Sequence, residues 1–187
     1  MGAQKSSEKM EIHWSEGTTS VSPDQRWRLE VSPHGEDGPA IVSAQRTAGG
    51  KKYVLFRLRR DASIFWSPNS TSLMVEDRSF SDHSRLMLFH IPFLSQDEQG
   101  ALLIDRTVKV VAERNLNPVE QINYYLPEVV GWKDGRWLVA VGITTIRGDS
   151  GPFTSHCFGY LVDDKSSAIA HTFSEAELKD KFGATCQ

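Results

Sequence analysis

The sequence predicts a mainly β fold of antiparallel sheets, and three observations predict it. Short runs alternate apolar and polar residues, as Trp27, Leu29 and Val31 do against Arg28 and Glu30, which is the period of a half-buried strand. Clusters of Gly, Pro, Asp, Asn and Ser separate these runs at near-regular intervals. A Ser-Pro-Asp turn at Ser22 recurs as Ser-Pro-Asn at Ser67, 45 residues further on. That interval is the length of a repeated four-stranded unit.

Taken in order, Glu11 to Trp14 reads as a short first strand. Ser22-Pro23-Asp24 is a turn, because Pro presets φ and Asp bonds its own backbone. The strand from Trp27 to Val31 follows it. His34 to Pro39 is a loop, Ala40 to Arg46 a strand, and Gly49-Gly50 a break. Tyr53 to Arg59, Ala62 to Trp66, Ser72 to Glu76 and Arg85 to Ile91 continue the series. The last is apolar on both faces, which predicts a strand central in its sheet. Ala101 to Ala112, rich in Val and Ile, is predicted to supply one long strand or two short ones.

A helix is predicted from Asn117, where Asn117-Pro118-Val119-Glu120 offers a cap, a first-turn proline and a glutamate three residues on. Trp137, Val139, Val141 and Ile143 alternate as a strand that pairs with Phe153 to Val162. Ser166 to Ala170 reads as a return strand. Ser174-Glu175-Ala176-Glu177 is a capping box, opening a final helix that Gly183 ends. Two short helices are thus expected among roughly ten strands.

The 187 residues predict one domain with a substantial core. Residues 1–10 read as a disordered lead-in and 11–187 as a single β-rich domain. A formal net charge of −3 argues against a nucleic-acid binder, which would carry a basic excess. Runs of about eighteen apolar residues are absent, so no membrane span is expected. Met1 to Lys9 is polar and carries no signal-peptide core. Met1-Gly2 with Ser6 fits the short myristoylation pattern but has no second anchoring signal beside it. The compartment stays open between the cytoplasm and, for a chain stripped of a leader, the periplasm or the exterior. Cys157 and Cys186 are either one disulfide or two free thiols. Asn69-Ser70-Thr71 is a glycosylation sequon, in a place where Asn also suits a turn.

Ser22-Pro23-Asp24-Gln25-Arg26-Trp27, Ser67-Pro68-Asn69-Ser70-Thr71-Ser72 and, without the proline, Lys133-Asp134-Gly135-Arg136-Trp137-Leu138 each precede an alternating strand. These segments resemble the Ser-Pro-Asp-Gly element of TolB-like and WD-type β-propeller blades. The match is closest at Phe65 to Ser70, followed by Leu73-Met74-Val75 and Arg85 to Phe89. The resemblance implies strand-turn-strand units packed face to face, and it implies no chemistry. A chain of this length holds at most four such units, and the third copy is displaced by 65 residues from Pro68. The expected architecture is therefore an incomplete propeller-like assembly or a β-sandwich.

Gly148-Asp149-Ser150-Gly151-Pro152 lies near the trypsin-type nucleophile motif, yet its residues are also those of a hairpin loop. The six histidines show no zinc-site spacing, and Glu76-Asp77, Asp82-His83 and Asp163-Asp164 lack the pattern of a calcium loop. No metal and no cofactor are expected. The one basic cluster is Lys51, Lys52, Arg57, Arg59 and Arg60. Strict alternation places Tyr53, Leu55, Arg57 and Arg59 on one face, and Tyr53, Arg57 and Arg59 are the candidate contacts for an acidic protein partner. The expected function is a non-catalytic protein-binding β domain, an inhibitor or immunity-type protein that neutralises its partner. The alternatives are a hydrolase using Ser150 or a metal, and a structural adaptor in an envelope or secretion assembly.

Overall fold

The computed structural model of the chain describes residues 9–12, 17–32, 38–81, 83–92, 98–148 and 151–186. They form strands β1 (Lys9–Ile12), β2 (Thr18–Val21), β3 (Trp27–Ser32), β4 (Ala40–Arg46), β5 (Lys52–Leu58), β6 (Ala62–Trp66), β7 (Ser72–Asp77), β8 (Arg85–His90), β9 (Glu120–Lys133), β10 (Arg136–Arg147), β11 (Phe153–Asp163) and β12 (Ile169–Ser174). The helices are α1 (Glu98–Ala101), a single turn, α2 (Leu103–Arg114) and α3 (Glu175–Phe182). The strands make three antiparallel sheets of four, in the orders β2-β3-β4-β5, β1-β6-β7-β8 and β9-β10-β11-β12. The fold is mainly β, as the alternating runs predict.

The repeated turn is real at two of its three positions. Ser22 Oγ accepts from the Trp27 N–H at 3.0 Å, and Gln25, with φ of 61°, donates its N–H to the Ser22 carbonyl at 2.8 Å. Ser67 Oγ likewise accepts from the Ser72 N–H at 2.9 Å, and Ser70, with φ of 57°, donates to the Ser67 carbonyl at 2.8 Å. The two turns touch, because the Asp24 N–H donates to Ser70 Oγ at 3.0 Å. The third segment is a different device. Asp134 and Gly135 both take positive φ, 49° and 77°, as a two-residue hairpin turn demands.

The middle sheet is buried on both faces. Ala62, Ile64, Trp66, Leu73, Val75, Met87 and Phe89 face the β2–β5 sheet in one core. Phe65, Met74, Leu86 and Leu88 face α2 and the β9–β12 sheet in a second. Every residue of β6 and β7 is buried in consequence. Truncating Leu73 or Met74, neither of which has any exposed surface, costs about 2–5 kcal/mol by the usual cavity penalty. Among the described residues the sheets stack without closing into a barrel or ring.

Three expectations are corrected. The apolar strand β8 is the edge of its sheet rather than its centre; it is buried because the sheet is covered on both sides and α2 packs beside it. Ala101 to Ala112 is helical over most of its length. Ile104, Val108 and Ala112 fall four apart and all are buried, so helical periodicity overrides the strand preference of Val and Ile. No helix begins at Asn117. Asn117 Oδ1 instead accepts from the Val119 N–H at 3.2 Å, and the turn launches β9, whose Tyr125, Pro127 and Val129 point inward. Pro127 is tolerated there because β9 is an edge strand.

The final helix forms as its capping box predicts. The Ser174 N–H donates to Glu177 Oε2 at 3.0 Å, the Glu177 N–H donates back to Ser174 Oγ at 3.4 Å, and Gly183 ends the helix with φ of 65°. α3 closes over Leu138, Ala140 and Phe173. Gly159 permits this approach, since a Cβ there would meet Leu178 Cδ1 at 2.7 Å. Cys157 and Cys186 are joined as a disulfide, which resolves the alternative left open by their number.

A candidate arginine-lined recess

Strand β5 carries one irregularity that rearranges the predicted contact face. Its register with β4 slips between Val54 and Phe56, so that Leu55 is bulged. Before the bulge Tyr53 stands opposite Ala44; it is half-buried and packs at 6.1 Å between ring centroids on Trp27. After it Phe56 and Leu58 take the inward positions, and Arg57 is exposed. A bulge reverses which side a strand's later residues face. Tyr53 therefore sits over the core, with Lys51 Nζ 5.1 Å from its ring, while Arg57 and Arg59 point elsewhere.

Arg57 and Arg59 line a recess of about 560 Å³ together with Pro39, Ser79, Phe80, Arg85 and Glu98. That volume is within the range of small-ligand and side-chain pockets. Arg85 stands at the mouth of the β7–β8 hairpin, in register with Asp77. Its Nη2 lies 2.5 Å from Asp77 Oδ2, and the Asp77 side chain has no exposed surface. The other oxygen of Asp77 accepts from the Ser79 N–H at 3.0 Å and from the Ser79 hydroxyl. This carboxylate fixes both the arginine and the loop that carries Phe80. The Arg85 guanidinium lies 4.8 Å over the Phe80 ring, and Glu98 stands 3.9 Å from its Nη1. Phe80 in turn stacks on His83 at 4.2 Å.

Three guanidinium groups thus converge where one carboxylate, Glu98, is available at the rim. Arg85 is held in place, whereas Arg57 and Arg59 are exposed and have no ion-pair carboxylate among the described residues. Planar forks of this kind bind carboxylates in a bidentate way. Sequence reasoning found two of the three arginines and missed Arg85 and Phe80. The available signal was the Asp77–Arg85 pairing across a hairpin mouth, legible once both strand ends are placed.

The remaining candidates have structural employment. Glu76 pairs with Arg78 at 2.8 Å and accepts from the Val129 N–H at 3.4 Å. Asp163 caps its own turn; the Ser166 N–H and hydroxyl and the Lys165 N–H hold its carboxyl below the usual range. Asp164 is buried and accepts from Trp137 Nε1 at 3.2 Å and Thr71 Oγ1 at 2.9 Å, tying the third sheet to the second. His156 Nε2 lies 3.4 Å from Glu120 and 3.2 Å from Thr145 Oγ1. Ser150, Asp149, Asp82, His13 and His34 fall outside the described residues. Among the described residues, no group of three or more His, Cys, Asp or Glu is placed to hold a metal ion, and no helix is long and apolar enough to cross a membrane.

A second recess of about 560 Å³ lies at the twin turns, lined in part by Asp24, Trp27, Arg46, Asn69 and Thr71. Asn69 is exposed, and its Oδ1 accepts from the Thr71 hydroxyl at 2.7 Å, so the sequon's Asn also serves the turn. Its charged lining is Asp24 with Arg26 and Arg46, one arginine fewer than in the first recess. No family model, curated protein or solved structure matches this chain.

Proposed function

We propose that the chain is a non-catalytic protein-binding domain of the inhibitor or immunity type, whose contact surface is centred on the Arg57–Arg59–Arg85 recess. The observation that supports this reading is the convergence of three guanidinium groups and an exposed Phe80 around one cleft of an acidic protein. A locally basic cleft on a chain of net charge −3 suits an acidic partner that docks in one orientation. It does not suit a polyanion, whose binding needs a broad basic surface. An aromatic beside arginines is the composition of interface centres.

The test is reversal of charge where folding is unaffected. Arg57→Glu with Arg59→Glu changes two exposed side chains, and is expected to abolish capture of the partner from host extract while leaving the melting temperature within about 2 °C. Arg85→Glu is a poor substitute. It would leave Asp77 buried without its cation, a loss of about 3–5 kcal/mol. Capture that survives the double reversal unchanged would remove the recess from the interface.

A further inference from the structure

Resting on the acidic-partner reading, we infer that the recess reads two carboxylates at alternate positions of an extended segment. Arg57 lies in β5 and Arg59 directly follows its last residue, the buried and extended Leu58; both arginines are exposed. Extended backbone at Leu58 sets their Cα atoms about 6.6–6.8 Å apart, and both side chains line the same recess. β5 is the outer strand of its sheet, so its far side is not covered by another strand among the described residues. An extended segment laid along that side presents every second side chain to the two arginines. Acidic residues at positions i and i+2 then meet one guanidinium each, at the cross-strand spacing that favours opposite charges.

The surroundings restrict the choice further. Arg85 is anchored by Asp77 and stacked on Phe80, so it supplies a third, fixed cation at the inner end. Glu98, 3.9 Å from Arg85, already occupies one of its faces and repels a third carboxylate there. Pro39 and Phe80 offer an apolar wall for the residue that follows the acidic pair. The bulge at Leu55 and the end of β5 at Leu58, beyond which the Arg59 N–H donates to Ser79 Oγ at 3.4 Å, limit strand addition to a short stretch. The recognised element is a brief acid–x–acid segment next to an apolar residue, in extended form.

Fluorescence polarisation on the intact chain tests this with labelled eight-residue peptides of one composition. One peptide carries two aspartates at alternate positions followed by a leucine; in the others the aspartates are adjacent or three apart. The alternate spacing is expected to bind about five- to tenfold more tightly, and Arg57→Gln or Arg59→Gln to erase that preference while the protein stays folded by circular dichroism. Arg57→Lys should keep the charge but lose most of the preference, because the bidentate fork is gone. Equal binding of all three peptides, still abolished by Arg57→Glu with Arg59→Glu, overturns the spacing and leaves the acidic-partner reading intact. Failure of every acidic peptide to bind at low salt overturns both. A single-stranded oligonucleotide binding more tightly than the peptides overturns the choice of a peptide.

Discussion

Asp105 is a carboxylate whose surroundings work against its charge. It lies on α2, half-buried, with its Oδ1 accepting from the Leu86 N–H at 3.1 Å. Burial raises its carboxyl above the usual range; the Leu86 N–H, Lys109 and Arg85 offset this only in part. The buried Tyr125 hydroxyl nearby is itself held neutral, by burial first and then by the Asp105 charge, and burial pushes Tyr160 up to about 12. The folded state therefore binds a proton at Asp105 more readily than the unfolded chain does. Stability linked to this group rises as pH falls through the folded value, and ceases to change below the ordinary carboxylate value of about 3.9. Asp105→Asn keeps the acceptor for Leu86 and removes the charge. It is expected to raise the thermal midpoint at neutral pH, with an advantage that shrinks on acidification; a midpoint series across pH, wild type against variant, checks this. An advantage that grows toward low pH would contradict the assignment.

At the scale of elements, local chemistry was legible where a single mechanism decided it. The capping box at Ser174 and the twin Ser-Pro turns are self-contained hydrogen-bond schemes, and both form as their residues dictate. The two misread segments lie where local signals competed with packing. Ile104, Val108 and Ala112 carry strand-prone neighbours but a helical period, and the period wins because one helix face can be buried between sheets. Asn117-Pro118 has the letters of a helix start, yet a strand can begin after the same Asx turn. The arginine face was half legible for the same reason. Alternation is visible in sequence, but the bulge at Leu55 is fixed by pairing with β4, which sequence does not display.

The disulfide belongs to this scale too. It closes a loop of 29 residues and fastens the segment after α3 onto β11. Reduction is expected to destabilise the chain by about 3–4 kcal/mol on the loop-entropy relation, measurable as a lowered urea midpoint with a somewhat steeper slope, because the unfolded chain expands. Cys157→Ser with Cys186→Ser should reproduce the shift. An unshifted midpoint would mean the thiols are free in solution. A persistent disulfide would also place the chain in an oxidising compartment.

For the whole molecule, the reading of a mainly β chain holds, and the middle sheet shows why its apolar runs are so long. Residues 61–91 supply three of the four strands of that sheet, which has a core on each face. Its apolar residues alternate between two partners, where an ordinary sheet would send the second set to water. Runs such as Leu73-Met74-Val75 and Leu86 to Phe89 therefore lack the polar alternation that marks a solvent face. What sequence did not reveal is which layers provide the two covers, because each is assembled from segments far apart in the chain.

The order in which those covers are made has a consequence for synthesis. Residues 9–92 contain the first two sheets, and one face of the middle sheet can be satisfied as they leave the ribosome. Phe65, Met74, Leu86 and Leu88 on its other face wait for α2 and for strands that end only at Ser174. A nascent chain thus carries a finished apolar surface without its lid for roughly 80 codons, about 4–16 s at typical elongation rates. A fragment of residues 1–98 is expected to aggregate or to be retained by holdase chaperones, and static light scattering against the full chain measures it. A monomeric, non-sticky fragment would show that the second core is dispensable. The sheet that gives the finished molecule its stability is, during manufacture, its exposed liability.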